Sequence, residues 1–258
     1  MLEAMAVEIG MGGDESCPFC KEKDNQGRTN DFSNSPSKLG TALGDEPEWR
    51  IEVPHPMAGD MTIENRLRTN AHHLIPADAS FNPHPKIKQL LAKGSEVGGD
   101  VGYGVNHRNN GYWLPSYPED YQATNVKTVP ITWGQMTTEF PDMQHRITVL
   151  AMRHTKRQFH DAHPDYSSFV SQCLDKICEK VVAVAGKHTC QTPVEPLKKP
   201  WAPPYALTAR LDGLSSRLRG LLSGLPKGWR EPAFTSSHAK RYHLESALPS
   251  TGAAAGGG

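Results

Sequence analysis

Apolar residues are spread unevenly along this chain, and their spacing sets a few regular elements between long polar stretches. Residues 1–60 show little apolar periodicity and are rich in Gly, Asn, Asp, Ser and Pro, which predicts mostly loop. Thr62 to Pro76 leads into and contains a strand carrying two adjacent histidines, His72 and His73. Asn82-Pro83-His84-Pro85 predicts a turn, with His84 as a loop residue, and Lys86 to Lys93 a short helix with Ile87, Leu90 and Leu91 on one face and Gly94 as the stop. After a flexible connection from Gly94 to Gly104, Asn106 to Pro115 predicts a turn into a short strand, Tyr112-Trp113-Leu114, completing a hairpin-like pair. Gln144 to Phe159 reads as a helix with Ile147, Leu150, Ala151 and His154 on its apolar face. Pro164 suits the first turn of another helix, running to about Val184 with Phe169, Cys173, Leu174, Ile177 and Val181 inward and Gly186 as its end.

From Thr192 onward the pattern changes. Five prolines between Pro193 and Pro204 predict an extended linker, Leu207 to Leu225 a marginal amphipathic helix, and the Gly/Ala-rich end a disordered tail. Three segments follow: a loop-rich 1–60, a folded core over 61–190, and a linker with a largely disordered tail over 191–258.

Composition changes this picture in three ways. The 258 residues contain 21 prolines and 23 glycines, and hydrophobic content is 37%, so part of the chain is expected outside any packed core. Lys plus Arg equals Asp plus Glu at 28 each, so a surface that binds a polyanion must be concentrated locally. No apolar run is long enough to span a membrane, and the N-terminus carries no signal-peptide pattern.

The candidate chemistry sits in cysteines and histidines. Cys17-Pro18-Phe19-Cys20 places two sulfurs where they can share a tetrahedral zinc, with Cys173, Cys178, His188 and Cys190 as candidates for the second pair. Such a structural zinc would help order the N-terminal segment, because metal-binding free energy becomes folding free energy. In a strand, His72 and His73 face opposite sides, so one can reach a metal and the other a water. Downstream come Asn106-His107-Arg108-Asn109-Asn110-Gly111-Tyr112-Trp113-Leu114-Pro115 and then His160-Asp161-Ala162-His163-Pro164-Asp165-Tyr166. Arg153, Lys156 and Arg157 form a basic stripe just before the last histidine pair, placed to contact phosphate.

The order His-His-Leu-Ile-Pro, Asn-Gly-x-x-Leu-Pro, His-x-x-His-Pro-x-Tyr, over about Asn70 to Leu174, resembles the AHH family of HNH-type (ββα-metal) nucleases used as toxin modules by bacteria. Each motif alone is weak; the three in order carry the resemblance. It implies an α+β fold with a small ββα-metal core embedded in helices and long loops, followed by the Pro/Gly-rich C-terminal tail. It also implies a metal-dependent endonuclease cutting DNA with little sequence specificity, RNA being the other candidate substrate. Under it, His73 is the general base, His72 and His160 hold the metal, and His163 is a ligand, a water activator or a phosphate contact. Asn110 fits the asparagine that orients the base, with Asn106 and Asn109 as rivals. The single catalytic divalent metal stays open among Mg, Mn, Zn and Ni. The implied setting is a toxin made in the bacterial cytoplasm, delivered into a target cell by a secretion system, and neutralised by a cognate immunity protein. The competing reading is a non-catalytic zinc-binding module for nucleic acid or a partner protein, in which every Cys and His is structural.

Overall fold

The computed structural model describes residues 17–20, 29–54, 62–118, 133–187 and 196–247. Its framework is an antiparallel sheet of β1 (Trp49–Pro54), β2 (Thr62–His73) and β3 (Gly111–Pro118), in spatial order β1-β2-β3. β2 is central because its 12 residues are enough to pair twice. Its first half runs against β1, Trp49 opposite Leu67 through Pro54 opposite Thr62. Its second half runs against β3, Asn70 opposite Leu114 through His73 opposite Gly111, after a register shift between Leu67 and Thr69. Helix α1 (Pro36–Leu43), capped by the Ser35 hydroxyl accepting from the Lys38 N–H, packs on this second half. Gly111 is needed there, since a Cβ would fall 2.7 Å from a Leu39 methyl.

The remaining helices are α2 (Pro85–Leu91), α3 (Trp133–Glu139), α4 (Pro141–Thr155), α5 (Pro164–Gly186), α6 (Ala206–Leu222) and α7 (Ser237–Ala247). The architecture is therefore mixed: helices around a small antiparallel sheet, an α+β chain. The apolar residues form two cores. One gathers Leu74, Ile75, Phe81 and Leu90 with the inward faces of α5 and α6, from Phe169 and Leu174 to Leu211 and Leu218. The other joins Ile51, Val53 and Leu67 of the sheet to Ile147 and Ala151 of α4 and to Trp229, Phe234 and Tyr242 near the C-terminus.

Several expectations change. β2 and β3 do pair, but through a connection spanning 74–110 that contains α2, not through a tight hairpin, and β1 adds a third strand. His84 is no bystander in a loop: it is buried, and its Nδ1 caps α2 by accepting from the Ile87 N–H. Helix α4 stops at Thr155, four residues short of Phe159, because Lys156 takes a left-handed conformation at φ 54° and caps it. The buried face of α4 is Gln144, His145, Ile147, Thr148, Ala151 and Met152, which leaves His154 exposed instead of inward. Residues 196–247 are not a disordered tail, for α6 and α7 supply residues to both cores. Apolar positions recurring at helical spacing, Leu207, Leu211, Leu214 and Leu218, outweigh the proline-rich composition around them. Residues 248–258 and Cys190 and His188 lie outside the described residues. Among the described residues no helix is long and apolar enough to cross a membrane.

Candidate metal and catalytic centre

The site forms where the end of β2 meets the chain on either side of the α5 N-terminus. After the left-handed stop at Lys156 the backbone runs extended along the free edge of β3, and the His160 N–H donates to the Pro115 carbonyl at 2.8 Å. His163 follows as the N-cap residue of α5, ahead of Pro164 at the first helical position. These two backbone events aim both histidines at His72. The three ring centroids stand 5.0 Å (His72–His160), 5.1 Å (His72–His163) and 5.2 Å (His160–His163) apart. One nitrogen from each ring lies within 4.8 Å of the others. Tyr166, one helical turn into α5, packs its ring against His72 and His163, and its hydroxyl donates to the Leu74 carbonyl at 2.7 Å. The Asn70 amide Nδ2 reaches His160 Nδ1 at 3.2 Å and orients that ring.

His73 lies apart from this cluster. Its Nε2 is 3.0 Å from Asn106 Oδ1. The Asn106 amide Nδ2 donates to Asp31 Oδ2 and to the Ser33 carbonyl, both acceptors, so Oδ1 must be the atom facing the ring. Oδ1 cannot donate, hence His73 carries its proton on Nε2 and its lone pair on Nδ1. Behind Asn106, the Ser33 hydroxyl, then the Asn106 amide, hold the Asp31 carboxyl well below the usual carboxylate range against its own partial burial. The asparagine that meets His73 is thus Asn106 and not Asn110. Asn110 is a fastener: its Oδ1 accepts from the Ile75 N–H and the Ser215 hydroxyl, and its Nδ2 donates to the Ile75 and Val105 carbonyls. With those bonds made, its amide has nothing left for His73. Asn109 donates to Asp212 instead.

Burial dominates the electrostatics. His72 and His73 are 4% and 8% exposed. The pKa of His72 is pushed well down by burial, then by His160, His163 and His73 nearby. His160 is pushed down to about 4, by burial and then by His163. His163 is lowered by burial despite Asp161, and His73 by burial despite its Asn106 bond. All four imidazoles are therefore neutral at neutral pH, the form that ligates metals and accepts protons. An unfolded imidazole titrates at about 6.5, so below that pH the unfolded chain binds protons the native chain refuses. Stability is then unaffected by these groups above about pH 6.5 and is lost as pH falls past the depressed native values. The melting temperature of metal-free protein is expected to drop between about pH 7 and about pH 4, and the drop should shrink in His160→Gln. Equal drops in parent and variant would contradict the burial cost of His160.

The donor set fits a divalent transition-metal ion. His72 Nε2 is a buried nitrogen with no hydrogen-bond partner, which water-soluble proteins rarely tolerate unless something else takes its lone pair. Three neutral imidazoles with no carboxylate suit Zn, Ni or Cu better than the oxygen-seeking Mg. A cavity of about 830 Å³ opens on His163, walled by the first turns of α5 and by Pro232, Phe234 and Lys240.

The other candidates fall elsewhere. Cys17 and Cys20 sit in a tight turn, the Cys20 N–H donating to the Cys17 carbonyl, and among the described residues no third His, Cys, Asp or Glu gathers with them. Their turn is docked by packing, Phe19 meeting Trp201 edge-on at 5.8 Å. Cys173 and Cys178 face the α5 core, where burial pushes each thiol up to about 12, and among the described residues neither gathers with Cys17 and Cys20. The basic stripe is not one surface. Arg153 donates to the Tyr242 hydroxyl and lies over that ring, Lys156 is the exposed helix stop, and Arg157 turns to the edge of β3. Sequence reasoning missed Asn70 as the partner of His160, although it opens the Asn70-Ala71-His72-His73 stretch two residues before His72, on the same strand face.

Residues 55–192, more than half of the chain, match the model of AHH, a nuclease family of the HNH/ENDO VII superfamily with conserved AHH. The three letters occur here as Ala71-His72-His73, at the C-terminal end of β2. The chain belongs to the AHH family. Every histidine of the cluster falls inside the AHH match, as do His73 and Asn106. No curated protein and no solved structure matches the chain. The C-terminal wall of the cavity beside His163, from Glu231 to Lys240, lies beyond the residues that define AHH membership.

Proposed function

We propose that this AHH-family nuclease is a metal-dependent endonuclease that hydrolyses DNA phosphodiester bonds with low sequence specificity. His72, His160 and His163 would hold one divalent metal ion, and His73 is the general base. β2, β3 and α5 serve as the ββα-metal unit. The observation that carries the reading is the convergence of three neutral imidazoles on one spot, one of them with an orphaned buried nitrogen. When bound, a divalent ion supplies Lewis-acid stabilisation of charge developing on a phosphoryl oxygen. His73 contributes what a base needs: a neutral ring, a lone pair on Nδ1, and a tautomer held by Asn106 with Asp31 behind it. Asn70 and Tyr166 keep the cluster in place. His163 is thereby a ligand and not the base. In the setting that the resemblance implies, the activity serves as a bacterial antagonism toxin delivered by a secretion system, with an immunity protein guarding the producer.

Supercoiled plasmid incubated with purified protein and a transition-metal ion is expected to be nicked and then degraded, and chelator should stop the reaction. Intact plasmid across Mg, Mn, Co, Ni and Zn would refute the nuclease reading; degradation of RNA with plasmid untouched would refute DNA as the substrate.

A further inference from the structure

On the outer edge of β3, away from the cavity at His163, a cleft of about 710 Å³ is lined by Arg108, Arg157 and Arg219 with Tyr112 and Trp113. The three arginines come from distant stretches: the short turn before β3, the extended segment after α4, and α6. No carboxylate lines the cleft among the described residues, and Asp212 is engaged at its border by the Asn109 amide. In a chain of zero net charge, three like charges lining one cleft, with a single carboxylate at its border, leave an excess of positive charge that favours an anion.

The arginines are held ready for it. Arg157 Nη1 donates to the Trp113 carbonyl at 2.6 Å, and its guanidinium lies 4.5 Å over the Tyr112 ring and 5.1 Å over Trp49. Arg219 Nη2 donates to the Asn109 and Gly111 carbonyls, and its guanidinium lies 5.9 Å from the same Tyr112 ring. Each guanidinium has five N–H donors, so these anchors leave several unused; Arg219 Nε and Trp113 Nε1 are buried without a partner. Arg108 is exposed and makes no ion pair with any described residue. Both guanidinium groups therefore border the Tyr112 ring. Guanidinium donors converging on one cleft suit backbone phosphates.

Its place relative to the histidines is set by the same strand. Tyr112 stands directly opposite His72 in the β2–β3 register. Arg157 and His160 both bond the β3 edge, at Trp113 and Pro115, three residues apart along the extended segment. Three extended residues span about 10 Å, or about three nucleotides at ~3.4 Å of rise each.

Building on the nuclease reading, we propose that this cleft grips backbone phosphates of duplex DNA a few nucleotides from the bond being cut. Arg108, Arg157 and Arg219 take the phosphates, which gives affinity and register without sequence selection. Arg219 lies outside the AHH match, so the C-terminal helices complete the grip that the matched residues begin.

The test is duplex-DNA affinity of the full chain across a salt series, in chelator so that no strand is cut. Log K should fall with log salt by about 0.9 per phosphate contact. Arg108→Glu should weaken binding at every salt and flatten the slope by about 1, and adding Arg219→Gln should flatten it by about 2. Should the double variant fail to fold, Arg108→Glu decides alone, since its side chain is exposed and bonds nothing described. A parent-like slope in folded Arg108→Glu would overturn the cleft, as would flattening produced instead by Lys86→Glu with Lys88→Glu. Charge dependence with duplex RNA but none with duplex DNA would overturn the DNA assignment. Plasmid cutting by the metal-loaded parent tests the nuclease reading separately: cutting with an unchanged slope in the variants sinks only the cleft, and a flattened slope without cutting sinks only the nuclease reading.

Discussion

His73→Ala is expected to reduce plasmid nicking by on the order of 10²–10⁴-fold while the protein stays folded, the loss typical of removing a general base. The expectation rests on three features of that ring. It is kept neutral by burial, its proton is pinned to Nε2 by Asn106, and the residues behind Asn106 hold that amide in one orientation. Folding should survive because Asn106 Oδ1 keeps the Ser35 N–H as a donor when the imidazole is gone. His73→Gln sharpens the test, since its amide can still donate to Asn106 but offers no basic nitrogen; it should be as inactive as the alanine variant and melt closer to the parent. Asn106→Ala leaves the base but frees its tautomer, so it should lose less activity and shift the acid limb of the pH–rate profile toward lower pH, because Asn106 raises the His73 pKa. Parent-like nicking by folded His73→Ala would remove His73 from the chemistry and leave the base to be sought elsewhere.

The second large effect concerns metal. A ligand that binds only the native state stabilises it by about 2.7 kcal/mol at a hundredfold excess over its dissociation constant. For a chain of this size that corresponds to roughly 5–10 °C in melting temperature. Zn or Ni is expected to raise the melting temperature of chelator-stripped protein by that amount, and Mg by much less, because all three donors are imidazoles. His72→Ala and His160→Ala should each abolish the rise. Cys17→Ser with Cys20→Ser should leave it intact, since among the described residues those thiols gather no further ligand. A rise that persists in His72→Ala and vanishes in the cysteine variant would move the metal to the N-terminal turn and undo the proposed centre.

Local patterns decided some of this protein outright. The alternation of a strand puts His72 and His73 on opposite faces, and the structure finds one in an imidazole cluster and the other against Asn106. Helix α5 was legible because Pro164 marks its start and Phe169, Leu174, Ile177 and Val181 recur at helical spacing up to Gly186. The order of the three motifs carried the family, and the family match bears that out.

Distance in sequence hid the rest. Asn106 and Asn110 are four residues apart and alike in chemistry, so only the folded chain decides that one meets His73 and the other ties Ile75 to Val105. Ending α4 at Thr155 hangs on one left-handed residue, Lys156, a conformation that side-chain periodicity does not encode. That stop splits what reads as a single basic stripe and turns Arg157 toward β3. The C-terminal helices were obscured by surrounding prolines and by partners far earlier in the chain, such as Tyr242 against Arg153. Residue types and their periods thus determined the α5 helix, the strand bearing the histidine pair, and the family. Tertiary structure alone decided which asparagine meets His73, which arginines share a cleft, and that residues 196–247 complete both cores, because each depends on contacts between residues tens to a hundred positions apart.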